Sequence, residues 1–142
     1  MKDFGLTAVQ TYVPWNLHEP EEGEFHFEDN LDLAAFLKMC AEIGLKVMLR
    51  PAVYICSECD FGGLPYWIRN KKDVVIRSSD PTFMNCVRKY YERLTKEFVP
   101  YLSTNGGPII AVAVENEYGS FSDDHNYMAQ TGDILVELGV DV

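Results

Sequence analysis

Positive charge is scarce in this 142-residue chain: 12 Lys and Arg stand against 22 Asp and Glu, for a formal net charge of -10. That balance argues against nucleic acid or an anionic membrane as partner, because both reward clustered basic side chains. A neutral ligand such as a sugar is indifferent to it. Long apolar runs are also missing. Nothing approaches the roughly 18–20 consecutive apolar residues of a membrane span, and the opening stretch MKDFGLTAVQ contains no signal-peptide hydrophobic region. No linker or low-complexity segment divides the chain, so residues 1–142 read as a single domain.

Metal-ligating residues are few. The four cysteines are Cys40, Cys56, Cys59 and Cys86. Cys56 and Cys59 make a C-x-x-C that is open to redox or zinc use, but zinc wants a second pair or suitably spaced histidines, and His18, His26 and His125 are scattered. The expectation is no metal and no cofactor. Cys40 and Cys86 fall on apolar helical faces and read as small buried hydrophobes.

What is present is ample apolar material, 47% hydrophobic and 13% aromatic, in an alternating order. LTAVQTYVPW reads as a strand stopped by Pro14. NLDLAAFLKMCAEIG carries Leu33, Phe36, Leu37, Cys40 and Ala41 at helical spacing and ends on Gly44. LKVMLRP is a second strand. SDPTFMNCVRKYYERLTKEFV starts with an Asp80 cap and Pro81, and sets Phe83, Val87, Tyr90, Tyr91, Leu94 and Phe98 on one face. GGPIIAVAVE is the third strand. NYMAQTGDILVELG is a weaker helix interrupted by Gly132, and VDV approaches a further strand.

This order predicts an α/β fold with parallel strands, right-handed crossovers and apolar runs buried on both sheet faces. Three strands leave two edges open, so the sheet is read as incomplete. A (β/α)₈ barrel of about 250 residues contains such units, and the chain supplies roughly three of the eight. The unusual residues gather at the carboxyl ends of the strands, where α/β folds place their chemistry. Tyr12, Trp15, Asn16, His18 and Glu19 follow the first strand; Arg50, Tyr54, Cys56, Glu58 and Asp60 follow the second; Asn116, Glu117 and Tyr118 follow the third. Aromatics interleaved with carboxylates and an amide suit a sugar, whose ring face stacks while its hydroxyls need fixed donors and acceptors. Any single one of these acids is better read as simply solvated, and it is three strands ending alike that turns the reading toward a site.

The blocks VQTYVPWNLHEPEEGEFHF, ICSECDFGGLPYWI, VIRSSDP and NGGPIIAVAVENEYGS, in that order, closely resemble glycoside hydrolase family 35, the β-galactosidases, nearest the animal β-galactosidase-like branch. The resemblance implies a partial TIM barrel running roughly from strand 2 to helix 4, with barrel segments missing on both sides. It implies retaining hydrolysis of terminal β-galactosyl residues in the complete protein, a β-galactoside as ligand, and a lysosomal or secreted setting. Glu117 matches the general acid/base, and Asn116 the amide that bonds the sugar near its 2-hydroxyl. Tyr12 and Glu58 match residues that bind galactose hydroxyls, with Cys56 and Ser57 part of the same surface. Glu115 carries no such role and reads as structural. Trp15, His18, Arg50 and Tyr54 read as supports for the strand ends. The family's nucleophilic glutamate follows a later strand, beyond Val142, so the isolated chain is expected to be inactive.

Two departures stand out. Ala52 and Val53 replace the family's usual Gly-Pro, and Cys59 stands where many members carry Trp. They leave room for a barrel that binds galactosides without turnover. A different barrel glycosidase of the same broad clan would share Asn-Glu but not CSECDFGGLPYW.

An acid/base carboxyl works near neutral pH when a crowded, partly desolvated pocket raises its pKa, and such a pocket is expected around Glu117. In a regular strand Asn116 and Glu117 point to opposite faces, so a shared pocket requires irregular backbone at residues 115–118.

Overall fold

The computed structural model describes residues 1–142. Three strands, β1 (Ala8–Tyr12), β2 (Lys46–Arg50) and β3 (Ile109–Val112), form one parallel sheet in the order β1-β2-β3. Ala8 lies opposite Lys46 and Tyr12 opposite Arg50. Val47 pairs with Ile109 and Met48 with Ala111, so Ile110 is left over as a bulge. The short α1 (Trp15–His18) and α2 (Leu33–Glu42) lie between the first two strands, and α3 (Pro81–Phe98) between the second and third. The short α4 (Tyr118–Phe121) and α5 (His125–Glu137) follow β3. No helix is long and apolar enough to cross a membrane.

The helix limits follow from their capping chemistry. Asp32 accepts from the Ala35 amide at 2.8 Å to start α2, and Gly44 at φ 73° reverses the chain after it. Asp80 accepts from the Phe83 amide at 2.8 Å, with Pro81 in the first turn of α3. The expected face of α3 is fully sealed: Phe83, Val87, Tyr90, Tyr91, Leu94 and Phe98 are each 0% exposed. Burying each such side chain stabilises by about 1.5–3 kcal/mol, which makes α3 the centre of the core.

The structure corrects four expectations. The strands are buried on one face only: Val47 and Leu49 are sealed, while Met48 and Ile110 are exposed. The helices pack on a single side, and the pleat turns alternate residues away from them. The third strand pairs over Ile109–Val112, with a last bond from the Ala113 amide to the Leu49 carbonyl at 2.9 Å, rather than through residue 115, because its partner β2 ends at Arg50. Gly132 does not interrupt α5, whose buried Tyr127, Thr131, Ile134 and Leu135 outweigh a glycine penalty of about 1 kcal/mol. On α2, Leu33, Leu37 and Cys40 form the buried face, Phe36 is half-buried, and Ala41 points to solvent. Cys40 and Cys86 are buried, as their helical positions imply.

Candidate active site

Arg50, the last residue of β2, ties the three strand ends together. Its Nη1 donates to the Tyr12 hydroxyl at 3.1 Å, and its guanidinium carbon lies 4.7 Å from the centre of the same ring. Its Nη2 donates to Asn116 Oδ1. A guanidinium can only donate, so the Asn116 amide is oriented with its oxygen on Arg50 and its Nδ2 donor left over. Asn116 itself is buried, and no side chain of this chain accepts from Nδ2.

A second cation holds the backbone of the same residue. Arg77 grips Glu115 through Nε and Nη2, each at 2.8 Å, and Nη2 also donates to the Asn116 carbonyl at 2.9 Å. Glu115 further accepts from the Asn116 amide and from the Tyr127 hydroxyl, the latter at 3.1 Å. Burial and the Glu115 charge together push the Tyr127 hydroxyl well above its usual range. The Arg77 guanidinium is sandwiched between the rings of Tyr54 at 3.8 Å and Phe121 at 4.1 Å, and the Tyr118 hydroxyl donates to the Arg77 carbonyl at 2.8 Å. Glu115 is therefore a structural anchor. Arg77 was not singled out from the sequence, although a core acid at position 115 demands a buried cation and VIRSSDP contains one.

Glu117 sits at φ 51° and ψ 31°, left-handed backbone directly after buried Asn116. The backbone at residues 115–118 is thus irregular, as a shared pocket requires. The crowded pocket is a different matter. Glu117 is exposed and its carboxylate has no hydrogen-bond partner, so residues 1–142 alone do not desolvate it.

Cys56, Ser57 and Glu58 lie in a separate loop after β2, in consecutive left-handed conformations at φ 56°, 46° and 52°. Cys56 and Glu58 are exposed and Ser57 half-exposed, and none of their side chains bonds Tyr12, Arg50, Asn116 or Glu117. Ahead of them Ala52 and Val53, the residues in place of Gly-Pro, are each only 1% exposed, so that part of the loop packs inward.

The aromatic supports are as expected. Trp15 stacks on Tyr90 with ring centres 4.5 Å apart and donates from Nε1 to Glu19. Glu19 also accepts from the Gly23 amide at 2.8 Å, and burial pushes its carboxyl up against the opposing effect of these bonds. His18 Nδ1 bonds the His26 carbonyl at 2.8 Å while its ring stacks on Phe27, and burial lowers its pKa. A cleft of about 350 Å³ between residues 19–25 and α3 includes Glu22, Phe25, Trp67, Lys89 and Arg93 but none of Tyr12, Arg50, Asn116 or Glu117. Its mixed charges point to no particular ligand.

A parallel α/β sheet with polar groups at its strand ends is an architecture shared with solved glycosidases. The fold matches an exo-β-1,4-mannosidase from Opitutaceae bacterium strain TAV5 with a TM-score of 0.75, over 97% of this chain and 24% of that one, at 22% identity. It also matches a GH5_18 protein from Streptomyces cattleya with a TM-score of 0.70, over 97% of this chain and 33% of that one, at 18% identity. Residues 1–142 match the family described as Glycosyl hydrolases family 35, and the chain belongs to that family. Beta-galactosidase-1-like protein 3 of Homo sapiens is 49% identical over 99% of this chain and 21% of its own length. The beta-galactosidase of Xanthomonas manihotis is 50% identical over 96% of this chain and 23% of its own. The chain thus spans about a fifth of the length of these curated relatives.

Proposed function

We propose that the chain forms part of a (β/α)₈ barrel, roughly strand 2 to helix 4, of a retaining β-galactosidase. In this reading Glu117 is the acid/base, Asn116 donates to the sugar near its 2-hydroxyl, and Tyr12, Cys56, Ser57 and Glu58 line the galactose site. The observation that carries it is the Arg50–Asn116 bond, which leaves an oriented Nδ2 donor on the residue immediately before the exposed Glu117.

Cleavage needs a proton on a poor leaving oxygen, and in this reading Glu117 delivers it and then, deprotonated, activates water. Retention needs a second carboxylate about 5–5.5 Å away as nucleophile. Glu115 cannot serve, because Arg77, Tyr127 and the Asn116 amide occupy both its oxygens. In this reading the nucleophile is, as the family resemblance implies, a glutamate outside residues 1–142, and other parts of the barrel supply the wall that desolvates Glu117. The lysosomal or secreted setting of the family is carried over as part of the same reading.

The test is a chimera in which residues 1–142 replace the matching segment of the Xanthomonas manihotis relative, assayed by release of p-nitrophenol from p-nitrophenyl-β-galactoside. Turnover that falls about 10²–10⁴-fold on Glu117→Gln supports the proposal. A folded but silent chimera that still binds galactose favours a non-catalytic binding barrel. Turnover by the 142-residue chain alone would overturn the assignment of the nucleophile.

A further inference from the structure

We propose that Cys56 and Cys59 close a reversible disulfide across the left-handed turn at residues 56–59, making this loop a thiol-oxidation site that holds Glu58 in one presentation. Its first part stands on the turn alone; the consequence for Glu58 rests on the galactoside reading above.

The Cys59 amide donates to the Cys56 carbonyl at 2.8 Å, which closes a four-residue turn. Such turns bring their first and last Cα atoms within about 7 Å, and disulfides span Cα separations of about 4.4–6.8 Å. Cys56 is exposed and Cys59 half-exposed, so a small oxidant reaches both. No third His, Cys, Asp or Glu joins them in a group able to hold a metal ion.

The backbone supplies the reason for a crosslink. Cys56, Ser57 and Glu58 are three successive non-glycine residues with positive φ, a conformation that persists only where its surroundings enforce it. Here the enforcement is sparse: besides the turn bond, the Ile55 amide donates to the Gly62 carbonyl and the Gly62 amide to the Cys59 carbonyl, each at 2.9 Å. No side chain from residue 56 to 59 makes a hydrogen bond of its own. A sulfur–sulfur bond adds the missing restraint around Ser57 and Glu58.

The other two thiols stay out of the reaction. Cys40 and Cys86 are each 4% exposed, and burial pushes both thiols up, away from the reactive thiolate. With oxidised glutathione as the oxidant, the Cys56 thiolate attacks one of its sulfurs, forming a mixed disulfide and releasing one glutathione thiolate. Cys59, after losing its proton to solvent, attacks Cys56 sulfur and releases the second. Two protein thiols are oxidised and one glutathione disulfide is reduced to two thiols.

The test equilibrates the 142-residue chain in a reduced/oxidised glutathione buffer, traps free thiols with iodoacetamide and maps the peptides by mass. The expected product is a Cys56–Cys59 link lighter by two hydrogens and reversed by dithiothreitol, while Cys59→Ser stops at a glutathione adduct on Cys56. Free Cys56 and Cys59 throughout, stable adducts on both, or pairing with Cys40 or Cys86 would overturn it. Hydrogen exchange at the Cys59 and Gly62 amides, which donate to the Cys56 and Cys59 carbonyls, should slow by about tenfold or more on oxidation, and unchanged exchange would refute the restraint. These readouts need no sugar, so they stand apart from the galactosidase test. Galactose affinity of the chimera, oxidised against reduced, then tests the consequence for Glu58: a change supports it and equality removes it.

Discussion

The Arg77 guanidinium meets both oxygens of Glu115 at 2.8 Å, with the two side chains only 7% and 1% exposed. This ion pair also binds the amide and carbonyl of Asn116, so the backbone that carries the candidate site is fastened from beneath. Because β3 has already ended at Val112, these bonds take over where the sheet ladder stops.

Arg77→Met leaves the Glu115 carboxylate buried without its counter-charge. The expected cost is about 3–5 kcal/mol, read as a fall in the urea midpoint. Arg77→Met combined with Glu115→Leu should recover most of it, since neither charge is then stranded. A loss below about 1 kcal/mol in the single variant would show that the pair is not sealed from water.

Gly62 is one of the positions where a methyl group has no room. A Cβ there would lie 1.9 Å from the Tyr54 ring, and the residue sits at φ 63°. Gly62→Ala should destabilise by about 1–3 kcal/mol and displace Tyr54 from Arg77. An unaltered denaturation curve would mean that the 59–64 loop repacks freely.

His18 sets a pH dependence with a definite sign. Burial lowers its pKa below 6.5, so the unfolded chain takes up the proton first. Its contribution is intact above pH 6.5 and is lost as pH falls through 6.5 toward the lower folded value. Glu19 acts oppositely: its raised carboxyl gains stability as pH falls toward 4.5. His18→Gln should therefore show less loss of stability from pH 7 to pH 5 than the parent chain in urea titrations. Identical pH profiles would contradict a buried neutral imidazole.

Asn116→Asp keeps an oxygen for Arg50 but removes the Nδ2 donor. In the chimera described above the fold should survive while galactose binds more weakly by about 1–3 kcal/mol, measured as an inhibition constant. Equal inhibition constants would take Asn116 out of the sugar site.

Regular elements were legible in the sequence because their signals are local. Asp80-Pro81 and the spacing from Phe83 to Phe98 define α3 without reference to any other segment. The bulge at Ile110 and the one-sided burial of the sheet depend on which face the helices cover, and no window of sequence contains that. Glu117 and Asn116 could be picked out by motif, yet their differing exposure comes from left-handed backbone that an Asn-Glu pair does not encode. Arg77 escaped notice because its partner lies 38 residues away, and ion pairing at that range leaves no periodicity to read.

The bond from Arg50 to Asn116 has a thermodynamic meaning beyond geometry. An amide free to rotate would have to lose that freedom when a ligand arrives, and affinity would fall accordingly. With its oxygen on Arg50 and its backbone on Arg77, Asn116 loses that freedom when the chain folds, so its Nδ2 is preorganised before any hydroxyl comes near.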